Sequence, residues 1–439
     1  MIPIYLQKFG NFLLPFIFVL GLVLAAMLSI LFDRAANYVY FSNDDIYKHA
    51  SSSLPLASSR DLTSLEISAA NIAWSYIRRN TREQTGLVDS VEDFPSSTLW
   101  DQGSYLLALV AAFQLELISQ DEFERRIGAV LTAFQSMELF DNKLPNKVYN
   151  TVTLEMTDYG NSPVEGGIGW SALDIARFLS ALRIVQIHSS THGARVSELL
   201  AGWSLRGLSQ AGEIIGTNTL SGTTQYVQEG RIGYEQYAAR AGLLWGLDFS
   251  KAVTGSYIHQ WREIDGIEVP IDRRQATAFG AITPTLSEPY FLMAMEMGLE
   301  GEHLSLASQV YKVQERRYKN TGIRTMVSED HVSVYPNFLY SSVYSNGEDW
   351  AVVSEQGDKY PSLRTLSIKS VFAWNAIFST EYTKSLFQHI STFGNLERGW
   401  PAGIYEESQE INEVYTLNTN SIILQSLYYR KFGVMMSLP

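Results

Sequence analysis

This chain of 439 residues contains no cysteine, which excludes disulfides, thiolate nucleophiles, iron–sulfur clusters and cysteine-based zinc sites. Basic residues are also scarce. Lys and Arg total 33 against 46 Asp and Glu, a formal charge of -13, and no window gathers them into a stripe that could follow phosphates. Nucleic acid is therefore not an expected partner. The seven histidines are dispersed, and His188 and His192, although at helix-like spacing, straddle a helix break, so no metal site is expected. The G-x-S-x-G elbow, the phosphate-cradling G-x-x-x-x-G-K-S/T loop and the dinucleotide fingerprint are all missing, and no cofactor is expected.

Apolar residues make up 46% of the chain and aromatics 12%, enough for a large core. The longest uncharged run, FGNFLLPFIFVLGLVLAAMLSILF between Lys8 and Asp33, exceeds the roughly 20 residues that span a bilayer as helix. It predicts a single-pass anchor over 1–34, the alternative being a cleaved signal peptide. Lys8 and the free amine lie on one side, and Asp33, Arg34, Asp44 and Asp45 on the other. The positive-inside bias then places the N-terminus in the cytoplasm of a bacterial inner membrane and the bulk of the chain in the periplasm. Residues 35–60 show no sustained period and read as a juxtamembrane linker.

From Asp61 to about residue 433 helical patterns recur in pairs. SYLLALVAAFQLELIS is apolar on nearly every side and DEFERRIGAVLTAFQSMEL is amphipathic, so the first reads as an inner helix and the second as an outer one. The alternation repeats in GWSALDIARFLSALRIVQ with GARVSELLAGWSLRGL, in SEPYFLMAMEMGL with EHLSLASQVYKVQERRY, and in LRTLSIKSVFAWNAIF with EYTKSLFQHISTF. Single helices are expected at YEQYAARAGLLWGL and LNTNSIILQSLYYRKF. The expected class is all-α: a toroid of six helical hairpins, an (α/α)6 barrel, with small β-hairpin inserts. Asp265–Gly266 marks one hairpin turn, and residues 323–362 should form short strands and loops.

Several acids and aromatics stand at the entrances of the buried helices, in Trp100–Asp101, Tyr234–Glu235, Glu288–Pro289–Tyr290 and Asp158–Tyr159, with Trp170 before a fourth helix. Each acid alone could be a helix cap. Converging inner helices would gather them around one cleft walled by Trp100, Trp170, Tyr234 and Tyr290. Such a cleft suits glycoside hydrolysis, which needs one protonated and one ionised carboxyl group. Glu329–Asp330–His331 could join the acid–base work or simply bind substrate.

Over roughly Leu65 to Lys431 the chain resembles a bacterial family of domains of unknown function, numbered 3131, placed with the six-hairpin glycosidases. The resemblance rests on WDQGSYLLALVAAFQLELIS, LFDNKLPNKVYNT, DYGN, GGIGWSALDIARFL, VQEGRIGYEQYAARAGLLWG, VPIDRR, SEPYFLMAMEMG, VSEDH, LRTLSIKSVFAWNAI, AGIYE and LNTNSIILQSL. More distantly the chain is similar to glucoamylase-like proteins and bacterial β-1,2-glucanases, which implies an (α/α)6 barrel with carboxyl residues in a central cleft. The resemblance puts a candidate catalytic role on Asp101, Glu235 and Glu288, with Asp158, Glu329 and Asp330 as second choices.

The expectation is thus a membrane-anchored glycoside hydrolase acting on a polysaccharide or glucan. Trp100, Tyr159, Trp170, Tyr234, Tyr290, Trp400 and Asn420 are its expected substrate-binding residues. The rival reading is a non-catalytic carbohydrate-binding or scaffold protein, docked to a polysaccharide synthase or export complex. A polysaccharide lyase, which needs a cationic cleft, fits the acidic balance poorly, since Arg273–Arg274 and Arg316–Arg317 are the internal basic doublets in plausible reach.

Overall fold

Side-chain oxygens start most of the helices. Thr63 caps α1 (Ser64–Asn80) in a capping box with Glu66, and Arg78 and Arg79 occupy its last turn, where the helix dipole favours cations. Thr98 caps α2 (Leu99–Gln114), Ser119 caps α3 (Gln120–Ser136) and Ser171 caps α4 (Ala172–His188). The remaining helices are α5 (Gly193–Ala201), α6 (Tyr234–Leu243), α7 (Glu288–Met297), α8 (Gly301–Thr321), α9 (Ile368–Ile377), α10 (Glu381–Ile390) and α11 (Leu417–Phe432). The computed structural model describes residues 53–437, apart from 221, 255–257 and 277–280. The expected anchor over 1–34 and most of the 35–60 linker lie outside the described residues. Among those described, no helix is long and apolar enough to cross a membrane.

The two helix types separate as their patterns predict. In α2 the residues from Gln102 to Ala112 are all buried, and in α9 every residue is. In α3, by contrast, Phe123, Ile127, Val130, Leu131 and Phe134 form one buried stripe. The buried helices α2, α4, α6, α7, α9 and α11 pack each against the next, and α11 packs back on α2 to close the ring. Outside it, α3 covers α2, α5 covers α4, α8 covers α7, α10 covers α9, and α1 covers α11. The first helix therefore completes a hairpin with the last. Behind α6 the described residues hold no outer helix. There the antiparallel hairpin His259–Ile264/Ile267–Asp272, turning at Asp265–Gly266, packs on α8 instead.

Boundaries shift where backbone groups find other partners. Thr365–Ser367, expected as helix, pair as a strand with Gly403–Tyr405 before α9 begins. The segment expected to run from Tyr234 to Leu247 as helix stops at Leu243, and Gly246 turns the chain with a φ of 74°. The end of the linker is held to the barrel, with Leu54 N–H donating to Ser308, Ala57 N–H to Ile377 and Arg60 N–H to Arg430. Past α11, Met435 is fully buried and donates its N–H to Met295. Gly103 lets α2 and α4 approach closely, since a Cβ there would lie 3.2 Å from the Phe178 backbone.

Polar side chains run through the middle of this apolar ring. Arg177 on α4 and Glu296 on α7, both with no exposure, pair at 2.7 Å. Ser180 and Tyr237 donate to the same carboxylate at 2.7 Å each. Arg177 also donates to Ser104 on α2, which donates to Asn418 on α11 at 2.9 Å; Asn418 in turn donates to Glu288 on α7 at 2.8 Å. Glu288 meets Lys369 on α9 at 2.5 Å. All six inner helices are thus tied by one network. Truncating one partner of a buried pair leaves the other charge uncompensated, at a cost of about 3–5 kcal/mol. Glu296→Ala is expected to lose about that much stability in urea unfolding, and the double change Arg177→Met/Glu296→Leu clearly less; equal losses would refute this account.

Candidate active site

The N-terminal ends of α2, α4, α6, α9 and α11 open on one cleft of about 950 Å³. Asp101 lies in the first turn of α2. Its Oδ2 accepts hydrogen bonds from Ser90 at 2.6 Å and Thr98 at 2.8 Å, while Oδ1 accepts none among the described residues. Burial pushes this carboxyl upward, and Ser90, Thr98 and the Arg177 charge oppose the shift. The net shift is upward, and the result is an oriented carboxyl group with one anchored oxygen.

Asp174 occupies the equivalent position on α4, three residues after the cap Ser171. Burial and then the neighbouring Glu229 push it up to about 8, so it carries a proton at neutral pH. Glu229 accepts from the Ser171 hydroxyl and the Ala172 N–H, both at 2.6 Å. It too is raised by burial, but these donors at the start of α4 favour its ionised form. Burial raises both carboxyls, and the charge of Glu229 raises Asp174 further.

A second group faces them. Glu329, which takes a hydrogen bond from the Tyr234 hydroxyl, is pushed well above the usual carboxylate range by burial and by Glu288. Asp330 is pushed up to about 6, mainly by burial, despite Lys369 at 3.5 Å. Burial alone would pull Lys369 down, but Asp330, Glu288 and Glu329 hold it above its ordinary value. Trp100, Tyr159, Tyr234, Phe338 and Tyr340 supply aromatic wall. Trp100 sits over the Arg177 guanidinium at 4.8 Å, so the central network forms the floor.

Asp101, Glu329 and Asp330 line the cleft, as do Trp100, Tyr159 and Tyr234. The other expected residues do not. Glu235 is fully buried and paired with Arg274 at 2.7 Å, and Glu288 is fully buried between Lys369 and Asn418. Both acids sit behind the wall because a cation from a distant segment reaches each of them. Asp158 instead closes a turn by accepting the Ser162 N–H. Trp170, Tyr290 and Trp400 are core residues, each 1% exposed, and the two indoles donate to Ile215 and Ala69 carbonyls. Asn420 is spent on backbone, bridging Trp400 and Thr416. His188 and His192 likewise hold structure, through Met435 and Glu124.

Sequence reasoning passed over Asp174, Glu229 and Lys369. A signal for Asp174 was present: Thr98-x-x-Asp101 and Ser171-x-x-Asp174 repeat one pattern at the start of successive inner helices. Nothing local marks Glu229, which reaches the cleft from the end of the hairpin Glu213–Leu220/Thr223–Gln228.

Solved structures share this architecture. An endo-β-1,2-glucanase of Chitinophaga pinensis, in complex with sophorotriose and glucose, is 11% identical, with a TM-score of 0.61 over 86% of this chain and 94% of that one. A Bacteroides caccae protein described as a candidate glucoamylase gives 11% and 0.61 over 85% and 94%. The endo-β-1,2-glucanase of Talaromyces funiculosus, in complex with sophorose, gives 10% and 0.54 over 85% of each chain. At such identities the likeness shows the fold alone, an (α/α)6 toroid. Residues 68–433 match the family described as protein of unknown function (DUF3131), and the chain belongs to that family. No curated protein matches it.

Proposed function

We propose that the chain is a glycoside hydrolase acting on a glucan, with Asp174 as general acid and Asp101 as its ionised partner. The observation that carries this is the pairing, in one aromatic-walled cleft, of a carboxyl pushed up to about 8 with a second carboxyl group anchored through a single oxygen. Asp174 gives its proton to the glycosidic oxygen as the bond to the anomeric carbon breaks. Asp101, through its unengaged Oδ1, takes the proton of the water whose oxygen forms the new bond to that carbon. Glu229 keeps Asp174 protonated, and Glu329 with Tyr234 binds sugar hydroxyls. The glucanase neighbours support the choice of a glucan, with β-1,2-glucan the first to test.

The uncharged run between Lys8 and Asp33 supports a membrane anchor with the barrel on the periplasmic side. Membrane fractionation and protease access in spheroplasts test that placement. For the activity, the full chain in detergent is incubated with β-1,2-, β-1,3-, β-1,4- and α-1,4-glucans, with folding verified. Oligosaccharide release from one of them is expected, and the anomer formed first, read by NMR, gives the stereochemistry. Binding without release from any glucan would favour the non-catalytic carbohydrate-binding reading.

A further inference from the structure

The strands Glu329–His331 and Phe338–Ser341 form an antiparallel hairpin in which Glu329 stands opposite Tyr340 and His331 opposite Phe338. Alternate side chains of a strand share a face. These four line the cleft, which Asp330 also reaches from the other face, where Leu339 packs into a small core with Val332, Val352 and Tyr405. The cleft face is a ladder of rings. His331 meets Phe338 edge-on at 5.0 Å between centroids, and Phe338 meets Tyr340 edge-on at 5.3 Å.

The ladder leads outward to a tip held in place by hydrogen bonds. Val332 N–H donates to Asn337, Asn337 N–H donates to Val334, and Ser333 N–H donates to the Tyr405 hydroxyl. On this fixed tip Tyr335 is 77% exposed, the most exposed of the large hydrophobic side chains among the described residues. Pro336 and Asn337, the next two residues, line the cleft mouth. An ordered turn that holds a large ring in water, continuous with an aromatic wall, has the form of a docking platform.

We infer that the hairpin is a guide for a polysaccharide chain leaving the cleft, with Phe338 as an inner stacking position and Tyr335 as an outer one. This rests on the reading of the cleft as a glycan site and adds that the substrate is a polymer gripped beyond the bond that is cut. Short oligosaccharides fill the cleft without reaching Tyr335; long chains reach it.

The test uses the full chain in detergent carrying Asp101→Asn, so that turnover does not consume the ligand, with and without Tyr335→Ala. Affinities for polymeric β-1,2-glucan and for sophorotriose are compared by affinity electrophoresis and calorimetry. Tyr335→Ala is expected to weaken polymer binding about three- to tenfold, the worth of one aromatic contact, and to leave the trisaccharide unchanged. Tyr335→Phe is expected to keep the polymer affinity. Equal effects on both ligands, or no effect on either, overturn the inference. A chain that binds neither ligand overturns the β-1,2-glucan reading together with it, whereas trisaccharide binding with no advantage for polymer overturns the guide alone.

Discussion

Asp174→Asn is expected to lower kcat on the responsive glucan by about 10²–10⁴-fold, the usual contribution of a positioned proton donor. KM should change little, because the amide fills the same space against Ser171 and Glu229. The wild-type rate should fall on the alkaline side near pH 8, where burial and Glu229 set the loss of the Asp174 proton. Substrates with a good leaving group, such as aryl glycosides, need less protonation and should lose less activity. The same variant has a signature in stability. The folded chain binds a proton at Asp174 up to about pH 8, whereas an unfolded aspartate releases it near pH 4. Stability contributed by that proton is complete below pH 4 and lost as the pH rises toward 8. Asp174→Asn escapes the loss, so its Tm should exceed that of the wild type by a margin that grows from pH 4 to 8 and then levels. A margin independent of pH would show that Asp174 does not hold its proton.

The second large effect is expected at Asp101. Asp101→Asn retains an oxygen for the Ser90 and Thr98 hydroxyls, so the turn before α2 and the fold should survive. Without the negative charge, kcat should drop by about 10²–10⁴-fold. Millimolar azide or formate should restore part of the rate, since a small anion can occupy the place left beside the anomeric carbon. The Asp174 variant should gain nothing from formate in this way. If the Asp101 variant retained more than a tenth of the wild-type rate, the roles assigned to the two acids would have to be redrawn, with Glu329 the next candidate.

The helices and their inner or outer placement were legible because burial follows the period of apolar residues. The pattern separating α2 from α3 is local, and so is the Asp265–Gly266 turn. The pairing of α1 with α11 as one hairpin was not legible, since nothing in either helix names the other. At the site, Asp101 was readable because its cap, its aromatic neighbour and its acid are contiguous. Glu235 and Glu288 looked the same from the sequence. What separates them is a cation supplied from elsewhere, Arg274 for one and Lys369 for the other. Trp170 and Trp400 misled for a related reason, as their indoles are met by carbonyls of segments far along the chain.

The relay from Arg177 through Ser104, Asn418 and Glu288 to Lys369 has a bearing on engineering. Protein stabilisation schemes favour replacing buried charges with greasy side chains, and the middle of this ring is an obvious target. Here such a replacement, even where it costs little stability, would unpin Trp100, Asn418 and Lys369, all of which border the cleft. Variants obtained that way should emerge as sluggish ones, with Asp101, deprived of the Arg177 charge that opposes its upward shift, holding a proton more tightly.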